Sequence, residues 1–99
     1  MLERDYQAKL IKKLRVLLPG CFVLKNDPEY LQGVPDLLIL HGDRWAMLEV
    51  KASERSPQQP NQDYYVQKLN GMSFAAFVYP SIEREVLDAL VEALSVQQR

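Results

Sequence analysis

Two apolar runs joined by a short polar turn constrain this 99-residue chain more than anything else in it. The first run is Asp36-Leu37-Leu38-Ile39-Leu40. The turn is His41-Gly42-Asp43-Arg44, and the second run is Trp45-Ala46-Met47-Leu48-Glu49-Val50-Lys51. Each run has the length and composition of a strand, and so short a turn between them predicts a hairpin with strands over 36–40 and 45–51. Alternate side chains of a strand share a face, so Glu49 and Lys51 point the same way and Val50 points opposite. Asp36 opens the preceding strand and can sit beside them. Two carboxylates and an ammonium therefore converge at one end of a small sheet. Trp45, Met47, Leu48 and Val50 predict a strand buried on both faces, and charges at the end of such a strand are costly unless paired or bound to a metal.

That trio suits a divalent cation and a phosphodiester. Mg²⁺ takes hard oxygen ligands, commonly one or two carboxylates, with water and substrate phosphate completing the shell. Asp36 and Glu49 supply the carboxylates. A bound metal polarises a phosphoryl oxygen and lowers the pKa of its water. Lys51 places a positive charge where negative charge accumulates on the phosphate, or else orients or deprotonates the water. A Glu-x-Lys triplet alone is weak evidence, since it turns up by chance in roughly one chain in three of this size. On an exposed strand the same pair would be a solvated face.

The remaining sequence narrows the alternatives. Ninety-nine residues make one domain, and 47% hydrophobic residues provide a modest core. The net charge of −1 supplies no global attraction to nucleic acid. The cations are uneven, however, with Lys9, Lys12, Lys13 and Arg15 in the first helix and Arg44, Lys51, Arg55 and Lys68 around the hairpin and the following helix. A positive strip and a solvated helix face are both compatible with that distribution. One cysteine, Cys21, excludes an intrachain disulfide and reads as a buried thiol; with a single histidine there is no zinc cluster. No run reaches the length of a membrane span and no signal-peptide pattern precedes the first helix, so a cytoplasmic protein is expected.

Along the chain, Tyr6, Leu10, Leu14 and Leu17 recur at helical spacing, widened by Ile11 and Leu18, and predict a helix over 3–18 that Pro19-Gly20 stops. Residues 21–25 predict a strand. A polar loop, Asn26 to Gly33, delivers the chain to Pro35-Asp36. Residues 52–60 predict a flexible loop. Asn61 is positioned to N-cap a helix to about Asn70, with Tyr65 and Leu69 inward and Gly71 closing it. Residues 73–79 predict a last strand. Ser81 then caps a final helix with Leu87, Leu90, Val91 and Leu94 on one face, broadened by Val86 and Ala93. The order is α-β-β-β-α-β-α. A β-α-β connection predicts a parallel pair through a right-handed crossover, giving an α/β fold with a mixed four-stranded sheet flanked by helices.

Four segments together resemble the VRR-NUC domain of the PD-(D/E)xK nuclease superfamily, in its stand-alone, phage-type form. Glu3-Arg4-Asp5-Tyr6-Gln7 is similar to that family's E-x-x-hydrophobic-Q opening, Gly33-Val34-Pro35-Asp36-Leu37 to its G-x-P-D-L, and Glu49-Val50-Lys51 to its E-V-K. Pro60-Asn61-Gln62, with Leu69 seven places on, is similar to its S-P-x-Q and apolar helix; Ser56-Pro57-Gln58-Gln59 fits the same pattern literally, leaving Gln59 as the other reading. The resemblance spans nearly the whole chain, residues 1–99. It implies a restriction-endonuclease-like α-β-β-β-α-β core with an extra C-terminal helix. It implies Mg²⁺ or Mn²⁺ held by Asp36 and Glu49, with the Val50 carbonyl and Glu3 as further ligands. Lys51 would position or activate the water, and Gln62 would orient Lys51 or the scissile phosphate. Read without the family, Glu3 is a helix-start acid favoured by the helix dipole and Gln62 an ordinary first-turn polar residue.

The resemblance further implies a metal-dependent DNA endonuclease, selective for branched DNA such as four-way junctions and acting as a homodimer in a phage or its bacterial host. The broad apolar face of the final helix is the expected dimer interface, unless it covers the sheet instead. A nick-, flap- or restriction-like nuclease is the alternative specificity. A nuclease-fold subunit that binds DNA or a partner without cutting, and a purely structural interaction domain, are the alternatives in class. The former would show a broken metal site, and the latter leaves Gly33 to Asp36 and Glu49 to Lys51 without a purpose.

Overall fold

The stripe Tyr6, Leu10, Leu14 is buried along α1 (Glu3–Leu17) in a computed structural model that describes residues 1–95. The other elements are β1 (Phe22–Lys25), β2 (Leu37–His41), β3 (Arg44–Val50), α2 (Gln62–Met72), β4 (Phe74–Val78), a 3-10 turn over Pro80–Ile82, and α3 (Glu83–Leu94). The four strands form one mixed sheet in the order β1-β2-β3-β4. β1 and β2 pair antiparallel with Val23 opposite Ile39, and β2 and β3 pair antiparallel with Leu38 opposite Met47. β3 and β4 are parallel, as the intervening helix requires, with Glu49 beside Phe77.

Strand alternation sorts the side chains into two layers. Leu37, Ile39, Ala46, Leu48, Val50 and Val78 face α1 and α3 and form the core with Leu10, Leu14, Leu87, Leu90 and Leu94. Each fully buried leucine contributes about 1.5–3 kcal/mol of burial. The opposite face carries Glu49 and is covered by α2 over β3 and β4 only. His41 and Arg44 flank the hairpin turn, where Gly42 takes a positive φ of 62°. His41 Nδ1–H donates to the Leu94 carbonyl (2.8 Å) and Arg44 Nη1 to that of Ala93 (3.1 Å), so the sole histidine and one of the strip cations cap α3 onto the hairpin.

Several local expectations are corrected. The apolar face of α3 lies on its own sheet through Leu87, Leu90 and Leu94, so it is unavailable as a dimer interface. Leu17 is exposed and Leu18 buried, because the chain leaves the helix there with φ −126° and turns inward. Cys21 is half-buried and precedes β1, its thiol donating to the Leu14 carbonyl at 3.7 Å. Asp36 and Lys51 fall just outside β2 and β3, and Ser73 and Tyr79 just outside β4. Asn61 adopts a left-handed conformation (φ 71°) and makes no side-chain cap. Gly71 lies inside α2, and Val66 rather than Tyr65 or Leu69 is its buried residue. Ser81 sits in the 3-10 turn, and α3 begins at Glu83. Among the described residues, no helix is long and apolar enough to cross a membrane.

Candidate active site

Asp36 and Glu49 meet because the β2–β3 register, carried one step past Leu37 opposite Leu48, sets them across from each other. The Asp36 carboxylate is fixed by the Val50 N–H, which donates to Oδ2 at 2.9 Å. Its backbone is fixed from the other side: Asn26 N–H donates to the Asp36 carbonyl (2.8 Å) and Asn26 Nδ2 to the Pro35 carbonyl (2.9 Å). The same register sets Val50 opposite Pro35, which has no N–H. The Val50 carbonyl, directed to the same edge as its N–H, therefore meets no ladder donor from Pro35, consistent with its expected ligand role.

The first turn of α1 brings Glu3 over the end of the sheet. One carboxylate oxygen from each of Glu3, Asp36 and Glu49 lies within 4.8 Å of the others. Glu3 is exposed, Asp36 half-buried and Glu49 only 2% exposed. Among the described residues, Glu49 Oε1 is buried without a hydrogen-bond partner. Burial, then the neighbouring Asp36 charge, hold the Glu49 carboxyl far above the usual carboxylate range, with Lys51 opposing. Glu3 is raised by burial and Asp36 in the same direction. Three carboxylates crowded at this distance repel one another, and one is buried with an orphaned oxygen. A hard divalent cation removes both costs at once, so the donor set fits Mg²⁺ or Mn²⁺.

Lys51 is buried on the same face, 6% exposed. Its ammonium donates to the Gln62 Oε1 (2.7 Å) and to the Pro57 carbonyl (3.0 Å), leaving one N–H of three. Gln62, in the first turn of α2, donates through Nε2 to Glu49 Oε2 (3.1 Å) and accepts the Gln59 N–H at 2.9 Å. The carboxamide of Gln62 presents an acceptor to the ammonium and a donor to the carboxylate at once. Of the two glutamines, Gln62 joins the site through its side chain, while Gln59 touches it only through its backbone N–H.

The loop bearing Gln59 is keyed to the loop before Asp36 by Gly33. Gly33 has φ +91°, and a Cβ there would lie 2.7 Å from Asn61 Cβ and 2.8 Å from the Pro60 carbonyl oxygen. Gly33→Ala is expected to cost roughly 2–4 kcal/mol from the strained φ and the overlap together. Thermal unfolding would read this, and an unchanged Tm would contradict the close approach.

All five side chains expected from the sequence, Glu3, Asp36, Glu49, Lys51 and Gln62, thus come together. The sequence reading missed Asn26 and the Pro57 carbonyl. Asn26 carried no signal beyond being a polar residue at a strand end, and a carbonyl acceptor carries none at all. Comparison of the chain with models of protein families, with curated proteins and with solved structures yields no match.

Proposed function

We propose that this chain is a metal-dependent DNA endonuclease of the restriction-endonuclease-like type that hydrolyses phosphodiester bonds, selective for branched DNA. One observation carries the reading. A buried glutamate with an orphaned oxygen shares its site with two further carboxylates and, through Gln62, with a buried lysine. A structural salt bridge would pair Lys51 with Glu49 directly. Instead Gln62 stands between them, and neither group is spent on the other.

Glu3, Asp36 and Glu49 would hold Mg²⁺ or Mn²⁺, with the Val50 carbonyl as a further donor. The bound cation would supply Lewis acidity toward a phosphoryl oxygen and toward water. The remaining steps belong to the chain. The free N–H of Lys51 binds an oxygen of the attacking water or of the phosphate, and its charge counters what develops there. Pro57 and Gln62 hold that ammonium in place, so its orientation is settled before substrate arrives. Asp36, fixed by Val50 N–H and Asn26, and Glu49, fixed by Gln62, keep the acidic wall rigid.

Cleavage of a labelled four-way junction, beside linear duplex and single strand, tests this with Mn²⁺ or Mg²⁺ and with chelator. Cuts near the branch point that need the metal are expected. Cutting of linear DNA alone would remove the branched-DNA selectivity and retain the nuclease. Binding without cutting of any substrate would overturn the nuclease reading in favour of a DNA-binding subunit.

A further inference from the structure

Asp36 and Glu49 belong to the sheet, so strand register sets their spacing. Glu3 belongs to α1, and its place over the site depends on where the first turn of that helix lies. Little holds that turn. Met1 through Asp5 are exposed, and Leu2 at the N-cap makes no side-chain bond. Leu10 and Leu14 anchor α1 only from two and three turns further on. Tyr6, one turn after Glu3 and 5% exposed, is the first buried side chain of the helix.

The Tyr6 hydroxyl donates to Glu83 Oε1 at 2.9 Å, across 77 positions of sequence. Burial, then this bond, push the hydroxyl well above its ordinary pKa, so it stays a donor at any working pH. The other oxygen, Glu83 Oε2, accepts Lys13 Nζ from the same helix. Tyr6 and Lys13 lie two turns apart on one face of α1. One carboxylate therefore restrains both the rotation and the height of the helix. The Lys13 pair is exposed and adds little by itself; the Tyr6 bond is part-buried and charge-assisted, the stronger of the two.

Glu83 is in turn a fixed point. It opens α3, whose Leu87, Leu90 and Leu94 are buried in the core. Its backbone N–H donates to the Pro80 carbonyl, and the Ile82 N–H to that of Tyr79. This turn leads straight from the end of β4, where the Val78 carbonyl accepts the Lys51 N–H at 2.9 Å. Glu83 is thus tied to the end of the sheet that carries Glu49 and Lys51. The dipole of α3 favours an acid at its start without any partner. It does not account for an acid whose two oxygens are both committed to α1.

We propose that Tyr6 and Glu83 are positioning residues for the metal site: their bond locks the first turn of α1 to the sheet and so sets Glu3 against Asp36 and Glu49. This role rests on the metal-site reading above. It supplies the alignment of the one carboxylate that the sheet does not carry.

Titration of the full chain with Mn²⁺, followed by the electron-spin-resonance signal of the free ion, reads affinity without cleavage. Tyr6→Phe keeps the buried ring and removes only the hydroxyl. It is expected to weaken Mn²⁺ binding by about tenfold, and Glu83→Leu to match it. Glu83→Gln keeps an oxygen to accept the hydroxyl and is expected to stay near wild type. In a Glu3→Gln background, Tyr6→Phe is expected to change the affinity no further. In the metal-free chain, Tyr6→Phe is expected to speed hydrogen exchange at the Tyr6 amide, which bonds the Leu2 carbonyl, and to leave the Leu14 amide unchanged. Wild-type affinity in Tyr6→Phe, or unchanged exchange at the Tyr6 amide, overturns the proposal. So does a loss of affinity that persists in full in the Glu3→Gln background, because a general loosening of the fold would act without Glu3. A wild-type chain that binds no Mn²⁺ overturns the metal site and this role together. Mn²⁺ binding without DNA cleavage removes the nuclease and leaves the role standing.

Discussion

Glu49→Gln is expected to abolish metal-dependent cleavage, by on the order of 10³-fold or more, while making the metal-free protein more stable. Both effects have one cause. Glu49 is 2% exposed, one of its oxygens has no partner among the described residues, and Asp36 and Glu3 crowd it. Ionising it in the folded chain without a cation is costly, which is why its carboxyl titrates far above the usual range. The unfolded chain gives up that proton near the ordinary carboxylate pKa while the folded chain keeps it. The stability contribution of Glu49 is therefore complete at low pH. It is lost as pH rises from the ordinary value toward the raised one. Glu3 is shifted the same way and adds to the slope. Glutamine keeps an acceptor for Gln62 Nε2 and offers an amide toward the two remaining carboxylates. A gain of about 1 kcal/mol at neutral pH would raise Tm by about 4–8 °C. Thermal unfolding across pH with chelator should show a falling Tm for the wild-type chain and a flatter one for Glu49→Gln. A variant less stable than wild type at every pH would make Glu49 a structural residue.

Lys51→Met is expected to lower the cleavage rate by about 10²–10³-fold with metal affinity unchanged or tighter. Methionine fills most of the volume of the buried stem, so the fold is retained. It removes the one N–H not committed to Pro57 and Gln62. Losing a positive charge beside the acidic cluster cannot weaken a cation's binding by electrostatics, so weaker Mn²⁺ binding would contradict the assigned role. Lys51→Arg is not expected to rescue, because a planar guanidinium does not reproduce a point donor held between two carbonyl oxygens. Gln62→Leu should give a smaller loss, since it disorients Lys51 and Glu49 without deleting either.

What was legible in the sequence follows from how local the signals are. The short turn between two apolar runs indicated a hairpin that could bring Asp36 beside Glu49, and period-2 alternation put Glu49 and Lys51 on one face; the register itself, with His41 opposite Arg44, came from the structure. Element order alone gave the mixed sheet. The expected cap residues failed because capping depends on the path of the preceding chain. Asn61 is pushed into a left-handed conformation where its loop abuts Gly33, and Ser81 is taken up by a 3-10 turn. The surplus apolar width of α3 suggested an interface, yet the sheet absorbs it, while the run 21–25 read in sequence only as a strand and did not show that Phe22 and Leu24 are exposed.

The central claim is that Glu3, Asp36 and Glu49 form a divalent-metal site on a protonated buried carboxyl. Titrating Mn²⁺ into the full chain near pH 7.5 by calorimetry, in buffers of different ionisation enthalpy, tests it most directly. One ion per chain is expected to bind with release of up to about one proton, both features lost in Glu49→Gln. Binding without proton release, or binding that Glu49→Gln leaves unchanged, would contradict it.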